Sequence, residues 1–219
     1  MSQNYRKPCF ALKYDIKKFF GSVDHQILID LIKKKVKDKD VLWLIEEIIQ
    51  SFSSRERVLQ QVQDSRERER ESRHCGIGLP IGNLTSQIFA NIYLDEFDQF
   101  IKHKLKIKYY LRYCDDFVIL DTGEDKLEKI IPQLSAFLQS NLKLTLHPNK
   151  IIIRKLRQGI DFLGYVVLPY YRVLRTKTKR RMIKKVSKEN ISSYLGLINH
   201  CDAHKLRKDI VALLIKGFY

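Results

Sequence analysis

The chain has 219 residues, of which 44% are apolar and 11% aromatic, enough for one domain with a sizeable core or one domain with a smaller appendage, and too apolar for general disorder. Lys and Arg number 41 against 25 Asp and Glu, a net charge of +16 that calls for a polyanionic partner. Cys9, Cys75, Cys114 and Cys201 are scattered, without a Cys-x-x-Cys pair or a His at zinc-ligand spacing, which fits a reducing, cytoplasmic setting, and no apolar run approaches the roughly 20 residues that span a membrane.

From Cys9 to Ile16 the run CFALKYDI predicts a core strand that ends at an aspartate. The period then changes. SVDHQILIDLIKKKV, residues 22–36, sets Ile27, Leu28, Leu31 and Ile32 on one helical face, with Ser22 or Asp24 as N-cap. A second helix is expected in VLWLIEEIIQSF. Residues 53–74, SSRERVLQQVQDSRERERESRH, are polar and crowded with both charge signs, and read as a mobile insertion.

After GIGLPIGN a long helix is expected, with Leu84, Ile88 and Ile92 on successive turns and Asn83 or Thr85 as cap. YYLRYCDDFVIL reads as a hairpin of two short strands around Asp115 and Asp116. A helix over about residues 124–139 and short strands in KLTL, KIIIRK, IDFLGYVV and YRVL follow. Strands alternating with helices indicate an α+β sandwich, a sheet covered by helices on one face. From Arg175 the basic segment RTKTKRRMIKKVSKEN leads into further helices, so a boundary is expected near Leu174, dividing residues 1–174 from 175–219.

Asp15 ends one expected strand, and Asp115 and Asp116 sit at the turn of a hairpin. If those strands are neighbours in one sheet, three carboxylates converge at its edge. They repel unless cations hold them, and hard oxygen ligands with neither Cys nor His select Mg²⁺ or Mn²⁺. Two such ions, about 3.5–4 Å apart, activate an attacking hydroxyl and stabilise a leaving pyrophosphate. Each acid alone has a plainer reading, since Asp favours turns and strand ends.

Five segments, in order, resemble reverse transcriptases: KYDIKKFFGSVDH, GLPIGNLTSQIFANIYL, YCDDF, LTLHPNK and DFLGYVV, covering residues 10 to about 175. The resemblance implies a polymerase palm, an antiparallel sheet covered by helices on one face, followed by the start of a helical thumb. It implies that Asp15, Asp115 and Asp116, with the carbonyl of Ile16, hold two Mg²⁺ ions, with Mn²⁺ as a substitute. Phe20 would lie under the sugar of the incoming deoxynucleotide and exclude a 2′-hydroxyl. Gly78, Pro80 and Gly82 would let the backbone approach template and nucleotide, with Ile81, Gln87 and Lys150 also at the nucleotide. Phe162, Leu163, Gly164 and Tyr165 would grip the primer end, and Arg175, Lys177, Lys179, Arg180 and Arg181 would meet the duplex backbone. The implied partners are an RNA template, a primer or cDNA and deoxynucleoside triphosphates.

Within the family, PIGNLTSQ resembles the enzymes of diversity-generating retroelements, whereas group II intron and retron enzymes usually carry Gln where this chain has Ile81, followed by Ser-Pro. That branch implies an accessory variability protein as partner. The family's palm follows a fingers region, and Asp15 lies close to the first residue here. The expectation is therefore a fragment of a longer protein, a form completed by another polypeptide, or a catalytically silent nucleic-acid-binding remnant.

Overall fold

The apolar run after Cys9 forms strand β1 (Phe10–Asp15), and its pleat sorts the side chains. Leu12 and Tyr14 are fully buried, while Lys13 and Asp15 are half-buried on the opposite face. The computed structural model describes residues 8–51, 76–187 and 189–216, and the insertion expected at 53–74 lies outside them. Among the described residues, no helix is long and apolar enough to cross a membrane.

A short turn of helix α1 (Phe19–Ser22) follows, then α2 (His25–Lys35) and α3 (Lys39–Gln50). Asp24, not Ser22, caps α2: its Oδ1 accepts the Ile27 amide at 3.1 Å, and its other oxygen pairs with Lys143 at 2.7 Å. The face that α2 buries carries His25, Leu28, Ile29 and Ile32, with Ile27 and Leu31 half-buried beside it.

Helix α4 (Leu84–Gln99) begins where expected, with Asn83 at its N-cap position, but turns a different side inward. Ser86, Phe89, Ala90, Tyr93, Leu94 and Phe97 are buried, whereas Leu84 and Ile88 are exposed. Two apolar stripes compete on this helix. The aromatic stripe wins because it meets aromatic partners: Phe97 lies 5.3 Å from Phe117, which lies 4.7 Å from Tyr14, and Phe97 lies 6.0 Å from Phe137.

Strands β2 (Tyr109–Tyr113) and β3 (Asp116–Asp121) pair antiparallel, with Tyr113 opposite Asp116 and Leu111 opposite Val118. Helix α5 (Glu124–Leu142) packs Leu127, Leu134, Leu138 and Leu142 inward. The strand expected in KLTL does not form, because Lys143, at φ 51°, and Leu144 close α5 by donating to the Leu138 carbonyl. Only Leu146 reaches β geometry, in an isolated antiparallel bridge to Ile16. Strand β4 (Ile152–Lys155) completes a four-stranded sheet of order β2-β3-β1-β4. Burial alternates along β2 and, from Leu12 on, along β1, so helices cover one face, as α+β architecture requires.

The chain divides into two compact units, one of Leu12–Ile152 and one of Met1–Ala11 with Ile153–Tyr219. The second holds a three-stranded antiparallel sheet, β5 (Ile160–Phe162), β6 (Tyr165–Val167) and β7 (Arg172–Leu174), then helices α6 (Thr176–Lys185), α7 (Ile191–Asn199) and α8 (His204–Lys216). Its core joins Leu174, Met182, Ile198, Ala203, Leu206 and Ile210. The change of character at Leu174 thus falls inside this unit.

Tyr93 ties α4 to both ends of the first unit's helical layer. Its hydroxyl donates to the Leu142 carbonyl at 2.7 Å and accepts the Asp24 amide at 3.3 Å, all of it buried. Tyr93→Phe leaves both backbone groups without that partner, and should cost about 1–3 kcal/mol. Urea unfolding should show a lower midpoint at unchanged slope, and an unchanged midpoint would contradict the assigned role.

Candidate active site

The pleat of β1 places Lys13 and Asp15 on the face that the helices leave open, and the hairpin register puts Asp116 beside them. β1 and β3 are neighbours in the sheet. The turn between β2 and β3 consists of Cys114 and Asp115, with Cys114 in the left-handed region at φ 51°. Asp116 is already the first residue of β3. The three acids expected to act together therefore stand at the ends of adjacent strands of one sheet.

Two lysines hold two of them. Lys150 is ion-paired with Asp15, and that hydrogen bond raises the Lys150 ammonium above the usual lysine range. Lys13, whose side chain is 17% exposed, lies 3.3 Å from Asp116 Oδ1. Burial first, and then the charges of Asp15 and Asp116, push the Asp115 carboxyl above the usual aspartate range. Among the described residues, no group of three acids, histidines or cysteines is drawn together closely enough to hold an ion as it stands. The donors nevertheless fit a hard divalent cation: carboxylate oxygens only, with the Asp115 carboxyl raised by burial and by its two acidic neighbours, and two ammonium groups beside them. The antiparallel bridge to Leu146 uses the Asp15 carbonyl, which accepts from His147 at 2.9 Å, and the Lys17 amide, which donates to Thr145 at 2.9 Å. Neither bond takes the Ile16 carbonyl.

Phe19 is buried and Phe20 half-buried beside it, with ring centroids 5.2 Å apart. The turn that carries Phe20 is laced to the glycine loop before α4. Leu79 N donates to the Phe20 carbonyl at 2.6 Å, Gly78 N to Val23 at 2.8 Å, and His25 N to Gly76 at 3.1 Å. The His25 ring, fully buried, adds a bond from Nε2 to the Gly78 carbonyl at 2.7 Å. A Cβ at Gly76 would stand 2.3 Å from His25 Nδ1, so only glycine lets the loop lie on this ring. Gly78 and Gly82 both take positive φ, at 102° and 103°. At the tip, Ile81 is 84% exposed and does not pack beneath the loop. Gln87 is exposed on the first turns of α4.

The remaining expected site residues lie in the second unit. Phe162 is buried at the end of β5, and Leu163 (φ 51°) and Gly164 (φ 85°) form the tight turn into Tyr165. Arg175 pairs with Asp161 through its guanidinium, and its amide donates to the Gly164 carbonyl at 3.1 Å. It thus braces the hairpin while its side chain stays 41% exposed. Lys177, Arg180 and Arg181 are exposed along α6, and Lys179 is half-buried.

Sequence reasoning assigned no role to Lys13, His25, Asp98 or Arg112. Lys13 was within reach, since it shares the Asp15 face two residues earlier in a strand. His25 stood inside a recognised segment, but its loop partner lies beyond residues 53–74. Asp98 and Arg112 meet only through tertiary structure.

Comparison with known proteins gives a consistent answer. A profile of the reverse transcriptase (RNA-dependent DNA polymerase) family matches residues 1–167. The chain is 22% identical to a putative COX1/OXI3 intron 2 protein of Saccharomyces cerevisiae, over 84% of this chain and 26% of that protein. It is 26% identical to the group II intron-encoded protein LtrA of Lactococcus lactis, over 84% of this chain and 38% of that one. It therefore spans about a quarter to two fifths of the length of these relatives. Apo telomerase from Candida tropicalis shares the fold, with a TM-score of 0.55 and 13% identity over 87% of this chain and 36% of that chain.

The strain on Asp115 has a measurable consequence. Its raised carboxyl binds a proton more tightly in the folded than in the unfolded chain, so its ionisation costs stability at neutral pH, and the cost vanishes below the ordinary aspartate range where both states are protonated. Asp115→Asn should melt above the parent at about pH 7 in metal-free buffer, with the advantage shrinking as the pH falls towards about 4. A variant that melts below the parent at neutral pH would contradict the assigned strain.

Proposed function

The chain belongs to the reverse transcriptase family, and on that premise we propose that it is the palm and early thumb of an RNA-directed DNA polymerase that extends a primer with deoxynucleotides on an RNA template. The observation that carries this reading is the placement of Asp15 and the Asp115–Asp116 turn on adjacent strand ends, with Lys13 and Lys150 held against them. Residues 1–174 form the palm on this reading and residues 175–219 the beginning of the thumb.

Asp15, Asp115 and Asp116 would hold two Mg²⁺ ions, which when bound activate the primer hydroxyl and stabilise the leaving pyrophosphate. Lys150 is suited to follow the triphosphate, because its ammonium already lies against Asp15 and remains charged. It would release Asp15 to the cation and meet the phosphates instead. The Phe20 carbonyl accepts the Leu79 amide of the glycine loop, so the backbone that would carry the ring under the sugar is tied to the loop that would lie over the nucleotide. The exposed side chain of Ile81 would touch the nascent pair with apolar contact only, which discriminates a poor match less well than hydrogen bonds do. The turn Leu163–Gly164, tied to Arg175, would support the primer end, with Lys177, Arg180 and Arg181 on the duplex phosphates.

Ile81 supports assignment to the diversity-generating branch, with an accessory variability protein as partner. The similarity to intron-encoded relatives favours a second reading, a group II intron-type enzyme, with the same chemistry and a different template. Primer extension on an RNA template with Mg²⁺ tests the shared claim. Asp115→Asn should reduce extension at least about a thousandfold while leaving RNA binding near parental, because the loss is in ion placement. Parental extension by that variant would end the polymerase reading.

A further inference from the structure

The turn that bears Asp115 depends on a side chain outside the family's acidic signature. Along β2, Tyr110 and Arg112 point to the face covered by α4, while Tyr109, Leu111 and Tyr113 are exposed. Arg112 is only 9% exposed at its side chain and Asp98, on α4, 26%. Their contact is a two-pronged fork: Arg112 Nε donates to Asp98 Oδ1 at 2.8 Å and Nη2 to Oδ2 at 2.5 Å. The Tyr110 hydroxyl adds a bond to Asp98 Oδ1 at 2.6 Å. The remaining nitrogen, Nη1, donates to Asn91 Oδ1 at 3.2 Å and to the Cys114 carbonyl at 3.1 Å.

That last bond grips the peptide leading directly into Asp115. Cys114 has a left-handed backbone at φ 51°, a conformation that costs energy for a residue with a side chain and relaxes unless its surroundings hold it. An apolar residue at position 112 would suit the covered face and need no counter-ion, so a fully engaged guanidinium here is better explained by the direction it imposes than by the stability it adds. α4 also starts at Leu84, two residues after Gly82, so one helix follows the glycine loop and carries Asn91 and Asp98, the partners of Arg112.

We propose that Arg112, oriented by Asp98, is a positioning residue for the acidic turn: through the Cys114 carbonyl it fixes where Asp115 and Asp116 present their oxygens to a divalent cation. The inference rests on the polymerase reading, and its test reads ion binding rather than turnover. Mn²⁺ would be titrated into the chain and followed by electron paramagnetic resonance, with melting temperature measured in parallel. The parent should bind Mn²⁺ and Asp115→Asn should lose it. Arg112→Met should weaken Mn²⁺ by about tenfold or more, the usual size of an effect transmitted through a ligand's support, and Arg112→Lys by less. Leu138→Ala, in the core of α5, should lower the melting temperature without moving the Mn²⁺ affinity. An affinity in Arg112→Met within about twofold of the parent, with Asp115→Asn still deficient, overturns the proposal alone. If Arg112→Met does not fold, Arg112→Lys carries the test, and unchanged affinity there overturns it equally. A parent that binds no Mn²⁺, or binds it regardless of Asp115→Asn, overturns the metal reading and this inference together.

Discussion

Carboxylates repel, and this fold brings three of them to adjacent strand ends. Like charges gathered in a partly buried site cost stability, and a typical domain has only about 5–15 kcal/mol to spare. The surrounding residues answer that cost. Lys150 lies against Asp15 and Lys13 against Asp116, while Asp115 carries what strain remains in a raised carboxyl. On the proposed reading, a cluster arranged in this way would gain by exchanging an ammonium for a divalent cation, so its unfavourable electrostatics would be the source of its activity.

The rest of the first unit serves that placement. The aromatic contacts from Tyr14 through Phe117 to Phe97 fix the sheet on α4, and Tyr93 fixes α4 to the caps of α2 and α5. The glycine loop enters α4 after being bonded to the α1–α2 segment at Phe20, Val23 and His25. Phe20 and the glycine loop are therefore tied to helices whose other faces are core. Pre-organisation of this kind is what metal-dependent transfer asks of a protein, since the ions supply the charge and the chain supplies the geometry.

The acids were legible in the sequence because their positions follow from local patterns. A run that ends in Asp15 and two short strands flanking Asp115 and Asp116 need no knowledge of tertiary contacts, and the family segments supplied their order; the turn itself falls one residue earlier, at Cys114 and Asp115. What escaped was set by side chains that meet across the fold. Leu84, Ile88 and Ile92 make as good a helical stripe as Phe89, Tyr93 and Phe97, and only the aromatic partners on β3 and α5 decide between them. Arg175 reads as one more charge in a basic run until Asp161 is seen opposite it. KLTL has strand composition, but its first two residues are consumed in ending a helix.

The central claim is that Asp15, Asp115 and Asp116 exist to be bridged by divalent cations. Anomalous diffraction from crystals of this chain grown with Mn²⁺ tests it directly. The account predicts an anomalous peak among the three carboxylates, with the Lys150 ammonium withdrawn from Asp15 and the Cys114 carbonyl still bonded to Arg112. Crystals with Mn²⁺ peaks elsewhere, an empty acidic turn, and both lysines still on their aspartates would contradict it.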